Sequence, residues 1–349
     1  MMTRTSLSLS SLLIVAAVLF AGWPATPADA QQSVKIDNDD IGGVVTGKNG
    51  PEAGVWVIAE TTELGTRFAK MVVTDDQGRY VIPDLPKANY NVWVRGYGLV
   101  DSPKITSPRG KIVNLTAAPA PNPAAAAEYY PAIYWFSMLS IPDKSLFPGT
   151  GSTGNSMPEN YKTQEQWLNV VQLNGCGNCH QLGDKATREF PESLRGIKNS
   201  VEAWHRRLAS GPGGNTMVRT ISTLNTTDGG HVKRLADWTD RIRAGEIPSS
   251  VPPRPQGLER NLVVTVYDWL SPKYYIHDLT VTDRRKPTVN PYGLIYGATE
   301  LSTDNEPVFD PVKITKMTMK VPVRDQDVPG SELANKVVAP SPYFGTEQV

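Results

Sequence analysis

The chain has 349 residues, and its 35 lysines and arginines balance 35 aspartates and glutamates, so the formal net charge is zero. This balance argues against nucleic acid as a partner, because such binding depends on neutralising phosphates. Two cysteines are too few for a disulfide-rich scaffold, so the folds must rest on ordinary hydrophobic cores. The length is enough for two or three domains.

The N-terminus is typical of an export signal. Arg4 precedes the apolar run 12–20, and Ala28-Asp29-Ala30 follows as a small-residue cleavage pattern. The run is shorter than the ~20 residues of a spanning helix, and no later stretch reaches that length. We therefore predict a signal peptide over residues 1–30, a periplasmic or secreted protein, and no membrane span in the mature chain. The alternative is an uncleaved membrane anchor.

Residues 31–116 consist of β-branched and aromatic runs separated by Gly, Pro, Asn and Asp. In the stretch GVWVIAE, Val55, Val57 and Ala59 alternate with their neighbours at a period of two, which indicates a half-buried strand. Short strands at this density predict a small antiparallel β-sandwich.

The stretch VVTDDQGRYVIPDLP within this region resembles the carboxypeptidase regulatory-like domain, a transthyretin-like β-sandwich. The resemblance covers about 80 residues of the chain. It implies a structural or ligand-presenting role, and the ligand expected in that case is a glycan or a peptide. It implies no carboxypeptidase, because the chain contains no H-x-x-E pair of zinc ligands.

Residues 117–159 are predicted to form a linker. Their first half is rich in alanine and proline, without periodicity. The second half, YYPAIYWFSMLSIP, is unusually aromatic, and we expect it to lie on a neighbouring domain, either as plain inter-domain packing or over a cofactor edge.

Residues 160–250 change to helical periodicity. A capping box at Thr163–Gln166 predicts a first helix that ends at Gly175. A second helix is expected from about Ser200, and a third from about Asp228 to a stop at Gly245. The glycine-rich segment between the last two helices is predicted to be a loop.

The motif Cys176-Gly177-Asn178-Cys179-His180 follows the first predicted helix. A dithiol oxidoreductase would place such a pair after a strand, and a zinc site would need ligands that no other cysteine supplies. Covalent haem attachment uses both thiols and the histidine, and it agrees with an exported chain. The motif therefore predicts one haem c, bound to Cys176 and Cys179, with His180 as the proximal iron ligand.

The order of these elements resembles that of class I cytochrome c over residues 160–247. The resemblance implies that the methionine between the last two helices, Met217, is the distal iron ligand. His205 is an alternative ligand, and Met157 is a weaker one. We expect His231, at the start of the third helix, to cap that helix or to be solvated.

From residue 251 to residue 349 the sequence is β-rich and resembles the start of a virginiamycin B lyase-like β-propeller. Propeller blades need about 40–50 residues each, so the region supplies at most one or two blades of a propeller. No catalytic residue is carried over from this resemblance.

The expected architecture is an all-β sandwich, an all-α cytochrome c domain and a partial propeller. The expected function is single-electron transfer by an exported cytochrome with a redox partner protein or a dehydrogenase. The protein is therefore expected to be an electron carrier more than an enzyme, and no catalytic residue is assigned. One alternative is an accessory domain of an oxidoreductase or lyase whose catalytic propeller is missing. The other is an extracellular glycan- or peptide-binding protein with a minor haem role.

Overall fold

The structure, a computed structural model, describes residues 34–210, 213–224, 230–268, 276–280, 286, 288–299 and 305–320. The predicted signal peptide lies outside these residues, and so does the segment 321–349 of the predicted C-terminal region. The described residues contain both β-sheets and helices, which agrees with a mixed, multidomain class.

Short strands cover the N-terminal region. They are β1 (Ile41–Gly47), β2 (Gly50–Pro51), β3 (Trp56–Thr61), β4 (Arg67–Val73), β5 (Arg79–Ile82), β6 (Asn89–Arg95), β7 (Leu99–Val100), β8 (Ile105–Pro108), β9 (Lys111–Ile112), β10 (Leu115–Thr116) and β11 (Ala118–Pro119).

Two sheets built from these strands enclose one core. In the first sheet β1 pairs with β2 and β5 in antiparallel fashion, but with β9 and β10 in parallel. The parallel pairs differ from the antiparallel sandwich expected from the sequence. Parallel strands need a long connection, and the strands between β1 and its partners β9 and β10 supply it. The second sheet contains β4, β3, β6 and β8 as antiparallel neighbours.

The period of two in β3 is confirmed for its inner face, where Val57 and Ala59 are buried in the core between the sheets. On the other face Trp56 and Glu60 are partly exposed, but Ile58 is buried at 4% exposure, so this face is only partly open to solvent. Phe68 and Val72 of β4 face the same core.

The helices follow after β11. They are α1 (Pro123–Ala127), α2 (Ala132–Phe136), α3 (Gln164–Asn169), α4 (Cys176–Cys179), α5 (Lys185–Arg188), α6 (Ser200–Leu208), α7 (Gly214–Leu224) and α8 (Gly230–Arg243).

The first two of these helices lie in the predicted linker. The aromatic half of the linker packs between neighbouring elements, as expected: Trp135 is buried, and its carbonyl accepts a hydrogen bond of 2.9 Å from the indole N–H of Trp238 in α8. The guanidinium of Arg188 lies 4.1 Å from the ring centroid of Trp135. Tyr130 meets Tyr97 of the sandwich edge-on, with the ring centroids 6.1 Å apart.

The capping box at Thr163 is confirmed at the start of α3. The helix then widens into a π-turn over Val170–Asn174 before the motif begins. The helix predicted from Ser200 is also confirmed, and Asn199 caps it. The prediction of a loop around Met217 is wrong, because that segment is helix α7.

The chain returns to the sandwich after α8. Strand β12 (Val264–Asp268) pairs with β4 as a further strand of the second sheet, with Val264 opposite Met71. Strands β13 (Ile276–Thr280), β14 (Ile295–Thr299), β15 (Asn305–Asp310) and β16 (Thr315–Lys320) form an antiparallel sheet. From this sheet Phe309 enters the core of the sandwich. The helical region is thus flanked in sequence by two parts of one β-structure.

Candidate functional site

The two cysteines occupy one short helical turn. The chain leaves the π-turn through Gly175 and forms α4, after which the backbone N–H of His180 donates to the carbonyl of Cys176 at 2.9 Å. Residues three apart on a helix lie on the same side, so the two thiols are neighbours. Both cysteines are free; Cys176 is partly buried and Cys179 is exposed.

The surroundings of Cys176 favour its protonated thiol. Burial is the main cause that raises its pKa, a backbone hydrogen bond acts in the opposite direction, and the nearby Cys179 adds a smaller increase. A dithiol exchange site needs the opposite shift, because the thiolate is the reactive form.

The surroundings of His180 lower its pKa and so favour its neutral form. Its side chain is solvent-exposed, but the protein around it removes part of its hydration, and this effect and the charge of Arg207 lower its pKa, while Asp184 acts in the opposite direction. Neutral imidazole is the form that binds a metal.

Arg207 of α6 is a residue of this site that the sequence did not single out. It donates to the carbonyls of Glu189 at 2.8 Å, of Thr187 at 3.4 Å and of Ala186, so it fixes the segment that follows His180. Burial lowers its pKa to about 10. In the sequence it is one of two adjacent arginines, a pattern typical of a solvated helix face. Its role as an anchor is seen only in the structure, where residues 186–189 pack against α6.

Helix α7 lies against the motif at Gly175. A Cβ atom on Gly175 would be 2.4 Å from the carbonyl oxygen of Val170 and 2.7 Å from Cγ2 of Thr220, and the clash with backbone favours glycine here. Met217 precedes Thr220 by one helical turn, and its half-buried side chain packs on the cluster formed by α6 and α8. Met217 thus lies on a helix and not on a loop, and this helix lies next to the cysteine turn.

The other candidate ligands have different surroundings. Met157 is fully buried in the cluster that also contains Cys176, together with Trp167. His205 is exposed on α6. The expectation that His231 is solvated is wrong: its side chain is 1% exposed, and its ring meets that of Trp167 edge-on at 5.1 Å between centroids.

Apolar side chains are exposed beside the motif. Leu173, in the turn before Gly175, is 64% exposed, and Val218 on α7 is 46% exposed. Water-exposed aliphatic groups of this kind are surface that an apolar macrocycle could cover. Together with two free thiols and a neutral imidazole, this set of residues fits a covalently attached haem.

Elsewhere in the described part of the chain, a group of three potential metal ligands lies at Asp37, Asp39 and Asp40, and it includes neither cysteine. No helix among the described residues is both long and apolar enough to cross a membrane. The chain matches no protein-family model, and no curated protein matches its sequence.

Proposed function

We propose that the protein is an exported c-type cytochrome that transfers single electrons through one covalently bound haem c. The observation that carries this proposal is the helical turn Cys176–Cys179, which presents two neighbouring free thiols and is followed directly by His180. The thiols would form thioether bonds to one edge of the porphyrin, and His180 would be the proximal iron ligand.

When bound, haem supplies a one-electron couple at its iron. The protein's part is to hold the ligands and to set the charge around them. Arg207 anchors the segment after His180, and its positive charge beside that ligand favours the reduced, less positive iron. Met217 would occupy the distal position, so that the iron is closed to substrates and serves as an electron carrier.

The resemblances to a carboxypeptidase regulatory-like sandwich and to class I cytochrome c belong to the same proposal. Attachment of haem c takes place outside the cytoplasm, so the proposal includes a periplasmic or secreted location and a redox partner protein or dehydrogenase.

The experiment that tests this function measures haem on the denatured protein. The wild-type chain, expressed with a haem-attachment system and then denatured, is expected to retain haem, and the double variant Cys176→Ser, Cys179→Ser is expected to lose it. Asn178→Ser is the matched control, because it changes an exposed residue between the cysteines and leaves the motif intact. Denatured wild-type protein without haem would contradict the proposal.

The distal ligand is tested on the same preparations by the near-infrared band that arises from charge transfer between methionine sulfur and ferric iron. Met217→Leu is expected to abolish this band, and Met157→Leu, a change of similar volume, is expected to keep it. The opposite pattern would assign the distal position to Met157.

A further inference from the structure

A cleft lies on the sandwich, in a part of the molecule that the proposed haem chemistry does not use. Its volume is about 270 Å³. One wall is the outer face of the second sheet, where Trp56, Met71 and Val73 point away from the core. The other wall is the segment 253–264, which connects the helical region to β12.

The segment that forms the second wall is fixed to the sandwich. Arg254 donates to the carbonyls of Tyr97 and Ala53, each at 3.2 Å, and pairs with the carboxylate of Glu52 at 2.5 Å. Arg260 donates to the carbonyl of Pro255 at 2.9 Å and pairs with Asp76. One wall of the cleft is therefore a β-sheet, and the other is fixed to the sandwich by hydrogen bonds and ion pairs.

The lining is apolar and aromatic. The rings of Trp56 and Tyr97 have their centroids 4.9 Å apart and their planes at 81°, so they form a corner instead of a stack. Leu262 and Val264 at the mouth are 58% and 43% exposed. A void of about 150 Å³ is enough for benzene, so this cleft can take a ring with a short side arm.

The charge of the cleft is negative. Glu259 is the ionisable carboxylate of its lining, and none of the ion pairs among the described residues includes it. Its Oε2 accepts a hydrogen bond of 3.0 Å from the backbone of Gln256 and keeps its other lone pairs. The nearby cations are compensated: Arg254 by Glu52, Arg260 by Asp76 and Arg95 by Asp101.

Tyr97 and Glu259 both line the cleft. Burial raises the pKa of Tyr97, and its interaction with Glu259 contributes to the same shift. The apolar cleft thus offers two polar groups, a carboxylate and a phenol, and a few polar groups in an apolar lining are the usual plan of a small-molecule site.

We propose that this cleft binds a small organic cation, a ring compound that carries a protonated amine. The ring would pack in the corner between Trp56 and Tyr97 by aromatic contact, and the ammonium group on its short arm would meet the carboxylate of Glu259. A glycan fits less well, because its many hydroxyl groups need more hydrogen-bonding partners than this lining offers. The inference is independent of the haem.

The experiment is a calorimetric titration of the full mature chain, loaded with haem, with three probes of similar shape. These are 2-phenylethylammonium, neutral 2-phenylethanol and the anion 3-phenylpropionate. The ammonium is expected to bind about tenfold more tightly than the alcohol, and the anion is expected to bind least. Equal or tighter binding of the anion, or no binding of the ammonium up to its solubility limit, would overturn the proposal.

The variant Glu259→Gln tests the role of the carboxylate. Glutamine keeps an oxygen that can accept from Gln256, so the local fold is preserved while the charge is removed. Affinity for the ammonium is expected to fall about tenfold, and affinity for the alcohol is expected to stay the same. Glu192→Gln, which changes another exposed carboxylate, in the helical region, is the matched control. A loss of ammonium affinity as large in Glu192→Gln, or none in Glu259→Gln, would reject the assigned role of Glu259.

Discussion

His231 makes the stability of the protein depend on pH. Its side chain is buried beside Trp167, and burial, with a smaller contribution from Arg234, lowers its pKa from 6.5 to about 4. The unfolded chain therefore binds a proton at a higher pH than the folded one. The stability that this residue provides is complete above about pH 6.5 and is lost as the pH falls towards 4, by roughly 3 kcal/mol in all.

The measurement is the free energy of unfolding by denaturant at several pH values between 4 and 8. In His231→Leu the loss of stability on acidification is expected to be smaller than in the wild type, because an aliphatic side chain does not titrate. His205→Gln, which changes an exposed histidine, is the control and is expected to follow the wild-type curve. A His231→Leu protein with the full wild-type pH dependence would contradict this account.

The cysteine turn and His231 differ in how well the sequence predicts their surroundings. The cysteine turn is local, so the spacing of Cys176, Cys179 and His180 was enough to place them together. The burial of His231 was not predicted, because a histidine after two glycines at a helix start is typical of a cap. Its environment is set by Trp167, which is far away in the sequence.

Helix α2 is held against the segment after the motif at Gly183. The φ angle of Gly183 is +96°, and a Cβ atom there would be 1.9 Å from the carbonyl oxygen of Ala132 and 2.6 Å from the backbone nitrogen of Phe136. Gly183→Ala is therefore expected to lower the free energy of unfolding by at least about 2 kcal/mol, since both the strained φ and a clash with backbone must be relieved. Chemical denaturation measures the loss.

Gly196→Ala is the matched control for this substitution. No atom lies within 4 Å of a Cβ atom at Gly196, and its φ is not in the left-handed region. This variant is expected to change stability by less than about 1 kcal/mol. Equal stabilities of the two variants would show that α2 is not seated on Gly183 in solution.

The sequence predicts α3 and α6 correctly, whereas it predicts a loop in place of α7. The capping box at Thr163 and the apolar spacing from Ser200 fixed α3 and α6. The glycines before Met217 indicated a loop, although Met217, Ile221 and Leu224 already have the spacing of one helix face. That apolar spacing was the better signal, since these side chains are the ones packed inward.

The whole molecule depends on pairings that no local pattern could reveal. Strand β12 joins β4 from the far side of the helical region, and Tyr267 within it contacts Phe68 and Phe309, with ring centroids 5.6 Å and 4.5 Å apart. The sequence indicated β-structure after residue 251, but the register that joins Val264 to Met71 is set by the tertiary fold. The C-terminal sheet is thus a contributor to the sandwich core.

The contribution of the C-terminal sheet to the sandwich is tested at Phe309. This side chain is 1% exposed within the sandwich core, so Phe309→Ala is expected to lower the free energy of unfolding by about 3–4 kcal/mol. Because the core is shared, amide hydrogen exchange should become faster in β3 and β4 as well as in β15 and β16. Tyr292→Ala is the control, because Tyr292 is 80% exposed, and it should leave both sets of amides unchanged. Faster exchange confined to β15 and β16 would mean that the C-terminal sheet unfolds as an independent unit. The stability of residues 34–116 would then not depend on the strands that follow the helices.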